Sequence, residues 1–300
     1  MIAVVSHDAG GAEILSSWVR QQSLPYCLVI DGPAIPIFKR KLGKLKIYSL
    51  EQAIKLCDWV LCGSSWQSNL EKRAIFLAKE FGKKTITFLD HWVNYPERFL
   101  LDNIAVYPDE IWVGDVDAQK IAENLFADIK VVFQPNPYFK DIIEVLAVSQ
   151  TKSENSFHAS VLYVCEPISE HALLTYGNPR YWGYTETDAL RFFLENFSLL
   201  DSSVSEIKIR PHPSESKSKY DWAKLESPLV SNIESSKSLI EQILEVDVVV
   251  GCESMAMVIG LLAKKRVISS VPIGGKACSL PQAEIEHLQA LIKNPRITDD

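Results

Sequence analysis

Cysteine is sparse and unpatterned in this chain of 300 residues. The six thiols (Cys27, Cys57, Cys62, Cys165, Cys252 and Cys278) include no C-x-x-C pair, which argues against a zinc ribbon or a dithiol redox motif. Four of them sit in or beside apolar runs, where cysteine behaves as a small buried residue, so reduced thiols in a reducing compartment are expected. Positive charge is also short. Lys and Arg number 31 against 38 Asp and Glu, a net charge of −7. Binding along a nucleic acid needs a basic footprint, so nucleic acid is not expected as the main partner. No apolar run is long enough to span a bilayer. The opening MIAVVSHDAGG has neither a basic stretch nor a cleavage site, so no signal peptide is expected. These absences lead to an expected cytoplasmic location, with peripheral attachment to a membrane surface still compatible. There is no G-x-G-x-x-G and no Walker lysine. The histidines and carboxylates fall into no metal-ligand pattern. In the adjacent pair His7-Asp8, neighbouring side chains should diverge, so neither metal nor cofactor is expected.

What the chain does have is short apolar runs alternating with amphipathic stretches. Ile2–Val5, Tyr26–Ile30, Trp59–Cys62, Thr85–Leu89, Glu110–Val113 and Lys130–Phe133 read as strands, several without polar alternation. That is the pattern of strands buried on both faces. Helical periodicity lies between them, over Ala12–Gln22, Ile35–Leu42, Leu50–Leu56, Leu70–Phe81 and Val116–Phe126, the last with Asp115 as cap. Lys46–Tyr48 is a further short strand candidate. The polar run 149–158 reads as a linker.

A second βα series follows. Its strands are Ser160–Val164, Glu206–Ile209, Val246–Val250 and Arg266–Ser269. Its helices are Glu186–Phe197, Tyr220–Leu225, Leu239–Leu244, Met255–Ala263 and Ile285–Ile292. The stretch Glu166–Thr185 reads as a long loop carrying Glu166, Glu170 and Arg180. The fold class expected is α/β, with two Rossmann-like domains facing a cleft: residues 1–148 on the acceptor side and 159–300 on the donor side.

Ligands of parallel sheets bind beyond the carboxyl ends of the strands, so residues just after each strand are the candidates. After the first strand comes Ser6-His7-Asp8-Ala9-Gly10-Gly11, in which Gly10 and Gly11 would bring backbone N–H groups to a helix start. Ser64 follows another strand. Asp90 and His91 follow a third, and Asp90, or else His91 or His7, could take a proton from an acceptor hydroxyl. Trp92, Tyr95 and Phe99 could stack on a sugar, although such a run more often packs inside.

In the second series the run I-K-I-R-P-H-P-S-E ends a strand in Arg210-Pro211-His212-Pro213-Ser214-Glu215. Two prolines preset the backbone on either side of His212. Arg210 could hold phosphate oxygens in a fork, or pair with a carboxylate. His212 could donate to a departing phosphate. Gly251-Cys252-Glu253-Ser254 opens a helix, where Glu253 and Ser254 could meet a phosphate, or Ser254 could simply cap.

Taken together, the glycine turn SHDAGGAE, the R-P-H-P loop and the segment G-C-E-S-M-A-M-V-I-G-L-L-A resemble GT-B glycosyltransferases. The His-Pro pair resembles more particularly the HP motif of bacterial sialyltransferases, polysialyltransferases and related capsule-polymer transferases. The resemblance implies an inverting, metal-independent transfer from a nucleotide sugar, CMP- or UDP-linked, to a surface-polysaccharide acceptor. It places His212 on the leaving phosphate and Ser254 at the phosphate-binding helix start, with Pro213 and Ser214 beside them. The acidic pair followed by glycine that holds that family's base is missing, because Asp90-His91-Trp92 stands in its place. A nucleotide-sugar 2-epimerase or hydrolase of the same fold is the alternative, as is a non-catalytic nucleotide-binding or partner protein.

Overall fold

In the computed structural model, residues 1–65, 68–149, 159–200, 204–216, 218–233 and 237–293 are described. They form two compact units, Met1–Asp141 and Ile142–Asp300. Most of the expected linker, 150–158, lies outside the described residues.

The first unit runs β1 (Ile2–Ser6), α1 (Ala9–Gln21), β2 (Tyr26–Ile30), α2 (Ala34–Leu42), α3 (Leu50–Leu56), β3 (Trp59–Cys62), α4 (Leu70–Glu80) and β4 (Lys84–Leu89). A hairpin of β5 (Leu100–Leu101) and β6 (Ile104–Ala105) follows, then β7 (Glu110–Val113), α5 (Val116–Leu125) and β8 (Lys130–Phe133). Six strands pair in parallel in the order β2-β1-β3-β4-β7-β8. The apolar runs of β1 to β4 are buried on both faces, as continuous Val/Ile/Leu strands require, whereas the edge strand β8 is only half-buried. On one face Val4, Leu28, Leu61, Ile86 and Phe88 pack under Leu15 and Trp18 of α1 and Phe38 of α2. Trp18, Trp59 and Trp112 meet with ring centroids 6.0 to 6.3 Å apart.

The division between units falls inside α6 (Pro137–Ser149). The second unit then has β9 (Ser160–Val164), α7 (Ile168–Tyr176), α8 (Glu186–Asn196), β10 (Glu206–Arg210), α9 (Ala223–Glu226), β11 (Val230–Ile233), α10 (Leu239–Leu244), β12 (Val248–Gly251), α11 (Met255–Leu262), β13 (Arg266–Ser269), β14 (Glu286–His287) and α12 (Leu288–Lys293). Its parallel sheet has the order β11-β10-β9-β12-β13-β14. Tyr163, Ile207, Ile209 and Val250 of the sheet pack with Phe193 of α8 and Tyr220. Ser-x-x-Glu and Thr-x-x-Asp capping boxes start α10 and α8, each satisfying two otherwise orphaned N–H groups.

Both sheets reverse direction beside their first strand. The reversal lies between β1 and β3 in the first unit and between β9 and β12 in the second. Such switch points open crevices at the strands' carboxyl ends. His7-Asp8 and Gly63-Ser64 stand at the first; Glu166 and Cys252–Ser254 stand at the second.

Several local expectations change. The stretch Glu166–Thr185 contains helix α7, anchored by buried Ile168 and Ala172 and ended by Gly177 in the left-handed conformation (φ 67°). Lys46–Tyr48 makes only a single bridge, Leu28 with Ile47. The expected helix Ile285–Ile292 opens with strand β14, and its helical part is Leu288–Lys293. α6 and β11 occupy stretches the sequence reading left without structure. The glycines Gly10 and Gly11 lie inside the first turn of α1, not ahead of it.

Candidate functional site

The register Val4 with Leu61 and Val5 with Cys62 carries Ser6 alongside Gly63 at the rim of the first sheet. There Gly11 and Gly63 bring two backbones together: a Cβ on Gly11 would lie 3.2 Å from the Gly63 Cα. Asp8 is the N-cap of α1, but its side chain makes no capping hydrogen bond. It turns to His7 instead, with Nδ1 and Asp8 Oδ1 2.7 Å apart. The expected divergence of these neighbours is therefore wrong, because the first helical turn swings Asp8 back over the imidazole. A carboxylate only accepts, so Nδ1 carries the hydrogen and Nε2 is left with its lone pair. Nε2 faces Gly32, whose φ is +53° and whose missing Cβ would stand 2.6 Å from it. An imidazole oriented by a carboxylate is the arrangement of a general base.

Asp90 is placed differently. Its Oδ1 accepts from Ser64 Oγ at 2.7 Å and from Arg98 Nη1 at 2.7 Å. Arg98 is 7% exposed; it also donates to Ser64 Oγ at 3.0 Å, to the Ser64 carbonyl, and through Nε to Val93 O at 3.1 Å. Asp90 is thus half of a nearly buried ion pair that fastens the third rim loop. His91 Nδ1 accepts from the Trp92 amide at 3.0 Å. Asp90, His91 and Trp92 line a small pocket with Gly114, Asp115 and Asn136. Trp92, Tyr95 and Phe99 are buried, as packing residues are. The Asp-x-Asp pair Asp115–Asp117 is spent on structure, since Asp115 caps Ala118 N at 2.7 Å and accepts from the Trp92 indole. Among the described residues no group of three or more His, Cys, Asp or Glu could hold a metal ion.

In the second unit the His-Pro loop is held by one carboxylate. Glu215 accepts from the His212 amide at 2.9 Å, Lys219 Nζ at 2.8 Å and Tyr220 Oη at 2.8 Å. Lys219 also reaches Glu186, which accepts from Ser169 N and Oγ. Burial works against the Lys219 charge, but the two carboxylates raise its pKa overall. His212 is exposed. Its Nδ1 lies 2.8 Å from Ser214 Oγ and accepts the Ser214 amide hydrogen at 3.3 Å. With Nδ1 accepting, the neutral ring carries its hydrogen on Nε2, a donor presented to solvent. Although the ring edge is open, the surrounding loop lowers the His212 pKa by desolvation, with Glu215 and Glu170 opposing. Pro213 and Ser214 are exposed beside it.

Among the described residues Arg210 makes no carboxylate pair. It donates to Gln242 Oε1 at 2.5 Å and Lys237 O at 2.9 Å, and burial lowers its pKa. Arg180 pairs with Asp188. Ser254 is the N-cap of α11, accepting from Ala256 N at 3.2 Å. Glu253 accepts from Ser279 N and Oγ. The N–H groups of the loop just before the Ser254 N-cap hold a carboxylate of the chain itself. Glu166 Oε1 accepts from Cys252 N at 3.1 Å and Glu253 N at 2.9 Å. Burial, with repulsion from Glu253, outweighs those bonds and pushes Glu166 up to about 7.

Four polar residues here escaped the sequence reading as site members: Glu71, Arg98, Glu215 and Lys219. Glu215 alone carried a local signal. A carboxylate three residues after a loop residue can return to that residue's amide, as it does at a helix start.

No family model matches the chain, and no curated protein matches it. Among solved structures it is similar to UDP-GlcNAc 2-epimerase from Methanocaldococcus jannaschii, with a TM-score of 0.62 at 12% identity over 99% of this chain and 93% of that one. It is also similar to UDP-GlcNAc 2-epimerase from Neisseria meningitidis bound to UDP-GlcNAc (0.59; 10% identity; 89% and 81% covered). A glycosyltransferase from Rickettsia africae gives 0.52 at 11% identity, with 89% and 79% covered. At these identities the likeness establishes the fold: two Rossmann-like units of the GT-B class, the class expected from the sequence. The proteins named are enzymes, two UDP-GlcNAc 2-epimerases and a glycosyltransferase.

Proposed function

We propose that this chain is an enzyme that expels a nucleoside phosphate from the anomeric carbon of a nucleotide sugar. The observation that carries this reading is the His212 loop: an imidazole whose Nδ1 is occupied by Ser214, leaving Nε2–H as an outward donor on a rigid strand-end loop. A hydrogen bond to the leaving phosphate oxygen stabilises charge as the C–O bond breaks. In this reading the second unit holds the nucleotide, with Arg210 and Ser254 near its phosphates, and the first unit, taken by itself, carries the candidate bases. The His7–Asp8 dyad suits that role better than Asp90, whose Oδ1 is committed to Arg98 and Ser64.

The same leaving-group step serves two reactions. Transfer needs a proton removed from an acceptor hydroxyl. Epimerisation at C2 needs a proton removed from carbon and returned to the other face. The HP-motif resemblance favours transfer in surface-polysaccharide synthesis. The fold likeness to two UDP-GlcNAc 2-epimerases, reaching 99% of this chain, favours epimerisation. Incubation with UDP-GlcNAc and with CMP- and GDP-sugars in deuterated water decides between them. Solvent deuterium at C2 without an acceptor marks an epimerase, and nucleotide release that needs an added glycan marks a transferase. Either way His212→Ala should lose about a hundredfold or more in turnover while staying folded. Wild-type turnover by that variant would sink the assignment. A thermal-shift series with UDP, CMP and GDP identifies the nucleotide, since a ligand of the folded state raises its apparent stability.

A further inference from the structure

Glu71 is in the first turn of α4, where a carboxylate normally stays in water and complements the helix dipole. Here it turns inward and is 2% exposed. Its Oε1 accepts the His7 backbone N–H at 2.7 Å. Its Oε2 is buried and has no hydrogen-bond partner among the described residues. Leaving one oxygen of a buried carboxylate unsatisfied costs about 1–3 kcal/mol or more, so its retention calls for an explanation beyond tethering a loop. A hydroxyl could accept the His7 N–H without that cost.

The surroundings supply one. His7 and Asp8 lie directly over Glu71 on the β1–α1 loop. Gly63 closes the β3 side with backbone alone: its absent Cβ would stand 3.4 Å from Gly11 Cα and Ser6 Oγ and 3.8 Å from Glu71 Oε1. Cys62 of β3 feels the Glu71 charge. On α4 itself Lys72, 3% exposed, forms no ion pair among the described residues. Burial lowers its pKa against the pull of Glu71 and Asp8. Taken together, burial raises the Glu71 pKa to about 7, its hydrogen bonds and His7 work to lower it, and Asp8 works to raise it.

We propose that Glu71 is a positioning residue for the His7–Asp8 dyad, fixing the His7 backbone from beneath and adding a second negative charge that favours proton uptake by the imidazole. The proposal rests on the reading of that dyad as the base. In the proton-transfer step the substrate's proton passes to His7 Nε2, and the imidazolium is then held between Asp8 and the ionised Glu71. By linkage, what His7 protonation gains from Glu71 ionisation, Glu71 ionisation gains from His7 protonation.

The test needs no substrate. In protein carrying ¹³C at the glutamate side-chain carboxyl, Glu71 should titrate near neutrality and be identified by its loss in Glu71→Gln. Asp8→Asn should move that midpoint down, and His7→Gln should move it up, each by about threefold or more in the protonation constant. A Glu71 that titrates below about pH 5.5, or ignores both substitutions, overturns the proposal. If Glu71→Gln fails to fold, Glu71→Asp, which also removes the labelled glutamate carboxyl, supplies the assignment, and the Asp8→Asn and His7→Gln arms still decide it. A turnover arm then asks whether the coupling is used. Glu71→Gln keeps an acceptor for the His7 amide, so a purely structural role predicts wild-type kinetics. The proposal predicts about a tenfold lower kcat at little changed KM, with the limb near pH 7 gone from the pH profile. Unchanged kcat and profile overturn it. Should the titration coupling hold while no nucleotide sugar is turned over even by the wild type, the functional reading has failed and the electrostatic coupling stands.

Discussion

Asp90 Oδ2 occupies the space of a Gly10 side chain: an ideal Cβ built on Gly10 would lie 2.0 Å from it. The glycine in the first turn of α1 is therefore explained by the neighbouring strand's carboxylate, not by a left-handed backbone. Gly10→Ala cannot be accommodated without displacing Asp90 from Arg98 and Ser64. Alanine gains helix propensity of about 1 kcal/mol, but the clash falls on a nearly buried ion pair. A net loss of about 1–3 kcal/mol is expected by urea unfolding. A variant as stable as wild type would show that Asp90 can leave this position freely.

Arg98 is the other side of that relationship. Its side chain is 7% exposed and that of Asp90 11%. Removing one member of such a pair strands the other without compensation. Arg98→Met should cost about 3–5 kcal/mol, whereas the double variant Asp90→Asn/Arg98→Met should recover a large part of the loss. A double-mutant cycle by chemical denaturation reads the coupling directly. Additive losses would mean the pair contributes nothing as a pair.

The strands were legible because parallel strands buried on both faces are written as uninterrupted apolar runs, such as Cys27–Ile30 and Val248–Val250. α7 was hidden because Ile168 and Ala172 point inward while Leu173 and Leu174 are exposed, so no apolar stripe marks it. α6 begins at Pro137, a residue that suits a first helical turn as well as a loop, so Pro-Asn-Pro does not by itself announce a helix. The site divides in the same way. His7, Asp90 and His212 were visible as reactive residue types at strand ends. The partners that lie far along the chain and were not named arrive through the fold: Glu71 meets the amide of His7 from 64 positions away.

Glu166 makes stability depend on pH with an unusual sign. Its folded-state pKa of about 7 lies above the ordinary 4.5. A carboxyl with a raised folded pKa favours folding while it keeps its proton. That contribution is complete below pH 4.5 and is lost as pH rises toward 7, amounting to about 3 kcal/mol. Glu166→Gln keeps an acceptor for the Cys252 and Glu253 amides but cannot ionise. Unfolding free energies measured from pH 4.5 to 8 should therefore fall more steeply for wild type than for the variant. Parallel curves would show that Glu166 is ionised in the folded protein at all these pH values. Glu71, raised for the same main reason, should leave a slope of the same sign in both proteins.

The His-Pro loop separates anchoring from chemistry within four residues. Glu215 is the anchor: its side chain is 1% exposed and it takes hydrogen bonds from the His212 amide, Lys219 and Tyr220. Glu215→Ala leaves the Tyr220 hydroxyl and the His212 amide without their acceptor and removes one of the two carboxylates on Lys219. It should cost about 3–4 kcal/mol. Ser214 is exposed and touches only the imidazole and its own turn. Ser214→Ala should change stability by less than about 0.5 kcal/mol. It removes the hydroxyl beside Nδ1, however, and leaves the Ser214 amide as the remaining support of the Nε2–H tautomer, so turnover should drop several-fold at unchanged nucleotide affinity. The two variants therefore make opposite predictions, one a loss of stability and the other a loss of rate. Nucleotide affinity by calorimetry, unfolding by denaturant and turnover of the nucleotide sugar, measured on both, would distinguish them. A Ser214→Ala enzyme with wild-type turnover would mean that the Ser214 amide alone presets the His212 tautomer.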